Sequence, residues 1–184
     1  MDNQIKYDTE WAKCQVNPEF VFFWGHTSKN NQISKCCLSQ FWPCQFKSNN
    51  IEYCCAEQFM MSEKAKLFKD EASYQLILKE TSQPKIKQLG RLIKNFNEDE
   101  WNKNKIKIVV QGNILKFTQN EELKNFLLQT GNKILVEASP KDRIWGIGLD
   151  ENDPNSKNPI KWRGQNLLGF SLMEVRDIIK NNNK

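Results

Sequence analysis

Glu57-Gln58-Phe59-Met60-Met61-Ser62-Glu63-Lys64 is the stretch on which the reading of this chain turns, because as a helix it sets two ionisable groups on an apolar face. Glu57, Met61, Lys64 and Phe68 fall at i, i+4, i+7 and i+11, so a carboxylate and an amine share one stripe with Met and Phe. Glu63, Lys66 and Asp70 supply the solvated side that such a helix needs. A charge on the buried stripe is costly unless it is paired or used, which makes Glu57 and Lys64 a candidate reaction site. The same stripe fits a rotated helix whose Lys64 snorkels to water, and the pattern alone leaves the two open.

Outward from this helix the chain reads as helices joined by aromatic-rich loops. Residues 1–19 form a loosely patterned lead-in, and Phe20-Val21-Phe22-Phe23-Trp24 a short strand ending at Gly25. Asn30 and Asn31 mark a turn, and Ser39-Gln40-Phe41-Trp42-Pro43 a loop before a second short strand near Gln45 to Lys47. Two helices are expected at about 71–80 and 84–95, with Ser82 and Pro84 as N-cap and early-turn residues of the latter. Asn97 with Glu100 resembles a capping box opening the next helix, which carries Trp101 in its first turns. Ile106-Lys107-Ile108-Val109-Val110 suits a strand equally well by propensity. Asn120 to Thr130, closed by Gly131, is a short helix. Lys133 to Ala138 and Ile144 to Leu149 look extended with a turn through Pro140 between them, and a polar loop from Asp150 to Gln165 leads to an amphipathic helix beginning near Asn166.

At 184 residues the chain is expected to be one domain, mainly α with a few short strands, able to bury a core without disulfides or metals. No stretch approaches the roughly 20 apolar residues of a membrane span, and the first residues have no apolar leader region, so a soluble cytoplasmic protein with no membrane partner is expected. Its 27 basic against 22 acidic residues give a net +5, which favours anionic ligands such as phosphates. The lysines are scattered, which argues against a general nucleic-acid-binding protein. Cys14, Cys36, Cys37, Cys44, Cys54 and Cys55 include no Cys-x-x-Cys pair and His26 is the one histidine, so neither a zinc site nor a disulfide frame is expected. Cys54 and Cys55 directly precede the Glu57 segment, which leaves a redox-sensitive site open.

A second constellation is Val136-Glu137-Ala138-Ser139-Pro140-Lys141-Asp142-Arg143-Ile144-Trp145-Gly146-Ile147-Gly148, followed by Trp162-Arg163-Gly164-Gln165-Asn166-Leu167-Leu168-Gly169. Acids, arginines and tryptophans crowd around glycines that allow close backbone approach. Gly146-Ile147-Gly148 lacks the third glycine and following helix of a dinucleotide fingerprint. The plainer alternative is a tight turn region whose tryptophans are core.

Several motifs, in order, resemble the YbiA/NADAR family. They are Phe22-Phe23-Trp24-Gly25-His26, Ser39-Gln40-Phe41-Trp42-Pro43, Ala56-Glu57-Gln58-Phe59-Met60-Met61 with Lys64-Ala65-Lys66-Leu67-Phe68, and Gly112-Asn113 with Lys116-Phe117. Val136-Glu137-Ala138-Ser139-Pro140 through Trp145-Gly146-Ile147-Gly148-Leu149 and Gly164-Gln165-Asn166-Leu167-Leu168-Gly169-Phe170 with Leu172-Met173-Glu174-Val175-Arg176 complete the set. The resemblance divides the chain into a lead-in at 1–19, a family domain at 20–180 and a polar tail at 181–184. It implies a compact, mainly helical YbiA-like α+β fold, no cofactor or metal, and N-glycosidase activity on phosphorylated ribosides. The implied substrates are early riboflavin-pathway intermediates or ADP-ribosylated guanine in DNA or nucleotide, the latter made by a cognate ADP-ribosyltransferase toxin. By position, Glu57 and Lys64 match the family's acid and lysine, and Trp101, Asp142 and Trp145 its pocket residues. Two departures are visible: the family's Pro-Thr before the motif is Cys54-Cys55, and the histidine after the glutamate is Gln58.

Breaking a ribose C1–N bond needs a proton for the departing nitrogen, a nucleophile, and stabilisation of positive charge on the sugar. Glu57 is assigned to general acid/base work and Asp142 to orienting water and stabilising the cation. Trp101 and Trp145 would hold base or sugar faces, and Arg143 or Arg163 a phosphate. Trp24, Gly25, His26, Ser39, Trp42, Gly146 and Asn166 complete the expected substrate-binding set. Lys64, roughly 10 Å along the helix from Glu57, is placed to attack C1 of an opened ribose. ADP-ribosylated guanine is the substrate favoured; a riboflavin-pathway intermediate is the alternative, and a non-catalytic ADP-ribose-binding module is the rival class.

Overall fold

A computed structural model describes residues 6–27 and 32–182, so the turn expected at Asn30 and Asn31 lies outside the described residues. In chain order the elements are α1 (Thr9–Lys13), β1 (Phe20–Phe23), β2 (Phe46–Ser48), β3 (Ile51–Tyr53), α2 (Ala56–Leu67), α3 (Glu71–Lys79), α4 (Gln83–Arg91), α5 (Glu98–Thr118), α6 (Glu121–Gln129), β4 (Ile134–Glu137) and α7 (Leu167–Asn182). The fold class is therefore as expected, mainly helical with a few short strands. Among the described residues no helix is long and apolar enough to cross a membrane. Two compact units are formed: Gln40–Glu121, and the chain on either side of it.

The Gln40–Glu121 unit is built on α2. The strand expected near Gln45 to Lys47 is the first half of a hairpin, β2 pairing antiparallel with β3 in the register Phe46↔Tyr53. Its two-residue turn is Asn49-Asn50, with φ of 49° and 63°, a left-handed pair that matches the strand twist. Phe46 and Tyr53 stack on one face at 5.6 Å between ring centroids, and Phe59 of α2 meets Tyr53 edge-on at 5.1 Å. The hairpin is thereby docked on the helix by one buried aromatic cluster.

α2 also packs against α3, α4 and α5, and every residue from Ala56 to Ser62 is buried. The wet side of this helix is thus narrower than the stripe predicted, consisting of Glu63 and Lys66, which pair at 2.7 Å. Asp70 departs from its expected place on that side. It is buried as the N-cap of α3, its carboxylate accepting from Ser73 N, Ser73 Oγ and Lys94 N. The Lys94 amide, with the Ser73 donors, pulls the Asp70 carboxyl down to about 2.

Glycines set how closely the neighbouring helices approach α2. A Cβ on Gly112 of α5 would lie 2.6 Å from the Phe59 ring, and one on Gly90 of α4 1.9 Å from Met61 Sδ. α5 absorbs the Ile106–Val110 run that propensity left open, because Asn97 caps its start by accepting from Glu100 N at 2.8 Å and α2 buries its inner face. α4 starts at the expected Ser82 and Pro84 but stops at Arg91 rather than near residue 95.

In the flanking unit β1 and β4 pair in parallel, Phe20 opposite Ile134 and Phe23 opposite Glu137, and α7 packs on β4. Gly169 allows that approach, since a Cβ there would lie 2.1 Å from the Leu135 carbonyl oxygen. α7 is not amphipathic at its start: all of Leu167 to Met173 is buried. The lead-in holds a helix, α1, whose N-cap Asp8 accepts from Trp11 N at 2.7 Å. Ile144 to Leu149 is a run of turns rather than the strand expected, with Gly148 at φ 68°. The polar loop contains a 3-10 turn, Pro159–Lys161. Buried Arg176 ties α7 to the turn before β4 by donating to Thr130 Oγ1 at 2.9 Å and Lys133 O at 2.8 Å.

Gly112→Ala is expected to lower stability by about 1–3 kcal/mol in chemical denaturation, the cost of forcing a methyl group against a fully packed ring. Because the folded pKa of Asp70 lies below the ordinary 3.8, its contribution is complete above that value and disappears as pH falls towards about 2. Asp70→Asn is therefore expected to flatten the acid limb of stability against pH over that window, read by thermal melts.

Candidate functional site

Within the Gln40–Glu121 unit the structure brings Glu57, Lys64 and Trp101 to one neighbourhood. Glu57 lies in the first turn of α2 and is only 3% exposed, its amide donating to Gln40 O at 2.9 Å. Lys64, two turns on, is half-buried, and its Nζ donates to the Gly90 carbonyl at the end of α4 at 2.9 Å. That ammonium lies 4.4 Å from the Phe96 ring centroid and 5.5 Å from that of Trp101. Burial pushes the Lys64 amine below its ordinary value, and the Glu57 charge partly opposes the shift. The result is an amine within the field of the Glu57 carboxylate, held by one carbonyl beside two aromatic rings, that loses its proton more easily than a lysine in water.

Phe96 was not anticipated, and the sequence held a signal for it. It precedes the Asn97 N-cap, and Trp101 is the fourth residue of α5, so the two occupy the N′ and N4 positions of a hydrophobic staple. Here the staple positions hold the two rings that flank an amine. Trp42 is half-buried in the turn that follows Gln40.

Gln58 has a structural assignment. Its Nε2 donates to Ile77 O, Leu78 O and Glu80 O at 3.0, 3.2 and 2.9 Å, and its Oε1 accepts from Cys54 N at 2.8 Å. The side chain therefore fastens the start of α2 to the end of α3, its amide hydrogens shared among carbonyls of the helix terminus. The departure from histidine at this position falls on a scaffold residue turned towards α3. Below it, Gln40 Oε1 accepts from buried Asn113 Nδ2 at 2.8 Å, an amide pair beneath the Glu57 backbone contact.

In the flanking unit the second constellation folds into two crossed loops. Backbone bonds from Arg163 N to Ile147 O, Gln165 N to Arg143 O and Asn166 N to Gly146 O hold residues 142–148 against 163–168. The glycines permit this: a Cβ on Gly164 would lie 2.3 Å from Gly146 O, and one on Gly146 2.7 Å from Glu137 O. Asp142 Oδ1 accepts from Ile144 N at 2.9 Å and Trp145 N at 2.8 Å, so part of this carboxylate shapes its own turn. Arg143 and Arg163 are exposed and lie side by side across Gly148, and Trp145 is half-buried.

Asn166 is a scaffold residue by its contacts rather than a free ligand donor. At φ 54° and fully buried, it accepts from Glu137 N at 3.0 Å and donates to Leu135 O at 2.9 Å, joining β4 to the start of α7. Trp24 is exposed, Gly25 has φ 78° and His26 is half-buried just past the carboxyl end of β1. Ala138 N bonds Phe23 O at 2.9 Å, so the chain leaving β4 runs beside them. Ser39 is half-buried after a short 3-10 turn, Lys35–Leu38.

The NADAR domain family matches residues 22–180, and the chain belongs to that family. An N-glycosidase of Acanthamoeba polyphaga mimivirus is 50% identical over 118 residues, covering 64% of this chain and 69% of that protein. An N-glycosidase of Nostoc punctiforme is 32% identical over 113 residues, 61% of this chain and 65% of that protein. The NMR structure of the E. coli protein YbiA superposes with a TM-score of 0.71 at 22% identity, over 93% of this chain and 90% of that one, which establishes the shared fold.

Gln58→Ala removes the side-chain partner of the Leu78 and Glu80 carbonyls and of the Cys54 amide, while Ile77 O keeps the Glu80 amide. It is expected to cost about 2 kcal/mol or more in denaturant titration, with amide exchange fastest at the α2–α3 junction.

Proposed function

We propose that this NADAR-family chain is an N-glycosidase that hydrolyses the bond between ribose C1 and a nitrogenous base, with ADP-ribosylated guanine, in DNA or as a nucleotide, as its substrate. The observation that carries the reading is the half-buried Lys64 amine, held by the Gly90 carbonyl beside Phe96 and Trp101 on the helix that buries Glu57. Two relatives named N-glycosidase support the bond type, and a net charge of +5 suits a substrate bearing a diphosphate.

In the proposed reaction the ribose ring opens to leave an iminium carbon at C1. The neutral Lys64 amine adds to C1, the C1–N bond to the base breaks, and the departing nitrogen takes a proton that Glu57 relays. An imine between C1 and Nζ remains. Water then adds to C1, the C1–Nζ bond breaks, and the aldehyde recloses as free ADP-ribose while lysine is regenerated. Stacking on Phe96 or Trp101 orients the base or sugar. Gln58 in place of histidine does not favour the binding-only alternative, because its amide is spent on backbone groups.

Since the working form of Lys64 is the neutral amine, kcat/KM is expected to climb with pH along a limb below the ordinary lysine value of 10.5. Lys64→Arg, always charged, should lose that limb together with turnover. The function is tested by incubating the protein with an oligonucleotide carrying ADP-ribosylated guanine and separately with a ribose-phosphate riboflavin precursor. Release from the first is expected, falling at least about 100-fold in Glu57→Gln with affinity largely kept. Release from the precursor alone would move the substrate to free metabolites, and binding without turnover on either would make the protein a reader.

A further inference from the structure

We infer that Cys54 and Cys55 form a peroxide-sensitive dithiol at the head of α2, and that its closure to a vicinal disulfide releases the first turn of the helix that carries Glu57. The oxidation stands on the thiols alone; only its effect on catalysis rests on the function proposed above.

The two sulfurs lie 3.9 Å apart, and Cys54 is half-exposed while Cys55 is fully buried. Cys55 is the N-cap residue of α2, in extended backbone at φ −168° and ψ 164°. The two thiols share a hydrogen bond, and that contact lowers the Cys54 pKa and raises that of Cys55, burial adding to the latter. One thiol is therefore accessible and more readily ionised, and the other is protonated, sheltered and within reach, the division of labour of an attacking and a resolving cysteine. Cys44 bonds backbone to backbone with Cys54, but burial pushes its thiol up and away from reaction.

With hydrogen peroxide as oxidant, the Cys54 thiolate attacks one peroxide oxygen, the O–O bond breaks, and the departing hydroxide is protonated to water. The Cys55 sulfur then attacks Cys54 Sγ, its proton and the Cys54 hydroxyl leave as a second water, and the S–S bond forms. Two thiols lose two electrons, and one peroxide becomes two waters.

Closing the ring brings the sulfurs from 3.9 Å to about 2.05 Å across adjacent residues. Their Cα atoms are held about 3.8 Å apart by a trans peptide, below the roughly 4.4 Å minimum usual for disulfides. The Cys54–Cys55 peptide must therefore twist. The twist displaces Cys54 O, which accepts from Cys44 N at 3.0 Å, and pulls on the adjacent Cys54 N, which donates to Gln58 Oε1 at 2.8 Å. Both bonds hold the start of α2, and Glu57 is two residues on. The same strain makes the disulfide readily reduced, which suits a reversible modification.

The test is limited peroxide treatment of the full chain, followed by intact mass, peptide mapping and amide exchange. Expected are loss of two hydrogens assigned to the Cys54–Cys55 peptide, reaction about tenfold faster than at exposed Cys14, and reversal by dithiothreitol. Amide exchange should rise in the first turn of α2 and turnover should fall. Cys55→Ser keeps a good helix cap and should stop at a sulfenic acid on Cys54 that dimedone captures. Cys14 reacting as fast as Cys54, a Cys44–Cys54 link in the map, or a vicinal disulfide with unchanged exchange in α2 would each overturn the inference. Mapping and exchange need no substrate, so a protein that oxidises as described but turns nothing over would contradict the proposed function and leave this site standing.

Discussion

An amine kept half out of water on a helix with almost no wet face is the constraint that organises the Gln40–Glu121 unit. α2 is covered by a hairpin and by α3, α4 and α5, and the half-buried Lys64 ammonium is met by a carbonyl and two rings. Burying a cation this far is unfavourable unless something holds the charged form or uses the neutral one. Gly90 does the holding, and the glycine is what lets α4 come close enough for its carbonyl to reach Nζ. The chemistry proposed for the site uses the amine after its proton has left.

The scaffold around α2 consists of buried polar side chains spent on backbone groups and on one another. Gln58 secures three carbonyls of the α3 terminus, Asp70 caps α3 and reaches Lys94, and Gln40 holds Asn113 while its carbonyl takes the Glu57 amide. Asn166 performs the same service in the flanking unit, fixing β4 to α7. These residues are polar and buried, the combination that makes a binding residue and a structural staple look alike in a sequence. Contacts separate them: a staple has its polar atoms committed to the scaffold, whereas the Lys64 ammonium is held by a single carbonyl and two π faces.

Much of this was legible from residue order. Helix periodicity placed α2 and set Glu57 and Lys64 on its inward side, Asn97 announced α5, Ser82-Pro84 announced α4, and the motif resemblance agreed with the NADAR match at 22–180. What was missed follows from tertiary effects that local pattern does not encode. Ile106–Val110 is β-branched and ambiguous alone, and packing on α2 makes it helical. Ile144–Leu149 has strand composition, yet Asp142 caps and a left-handed glycine turn it into loops. The hairpin signal Asn49-Asn50 and the staple pair Phe96 and Trp101 were present, and each needed its partner element in view to be read.

The central claim is that Lys64 is a nucleophile rather than a phosphate clamp or a snorkelling surface charge. The direct measurement is borohydride trapping during turnover of ADP-ribosylated guanine, followed by peptide mapping. The account predicts a reduced ribosyl adduct on Lys64 that is absent without substrate and absent from Lys64→Arg. Full turnover with no adduct on Lys64 would contradict it.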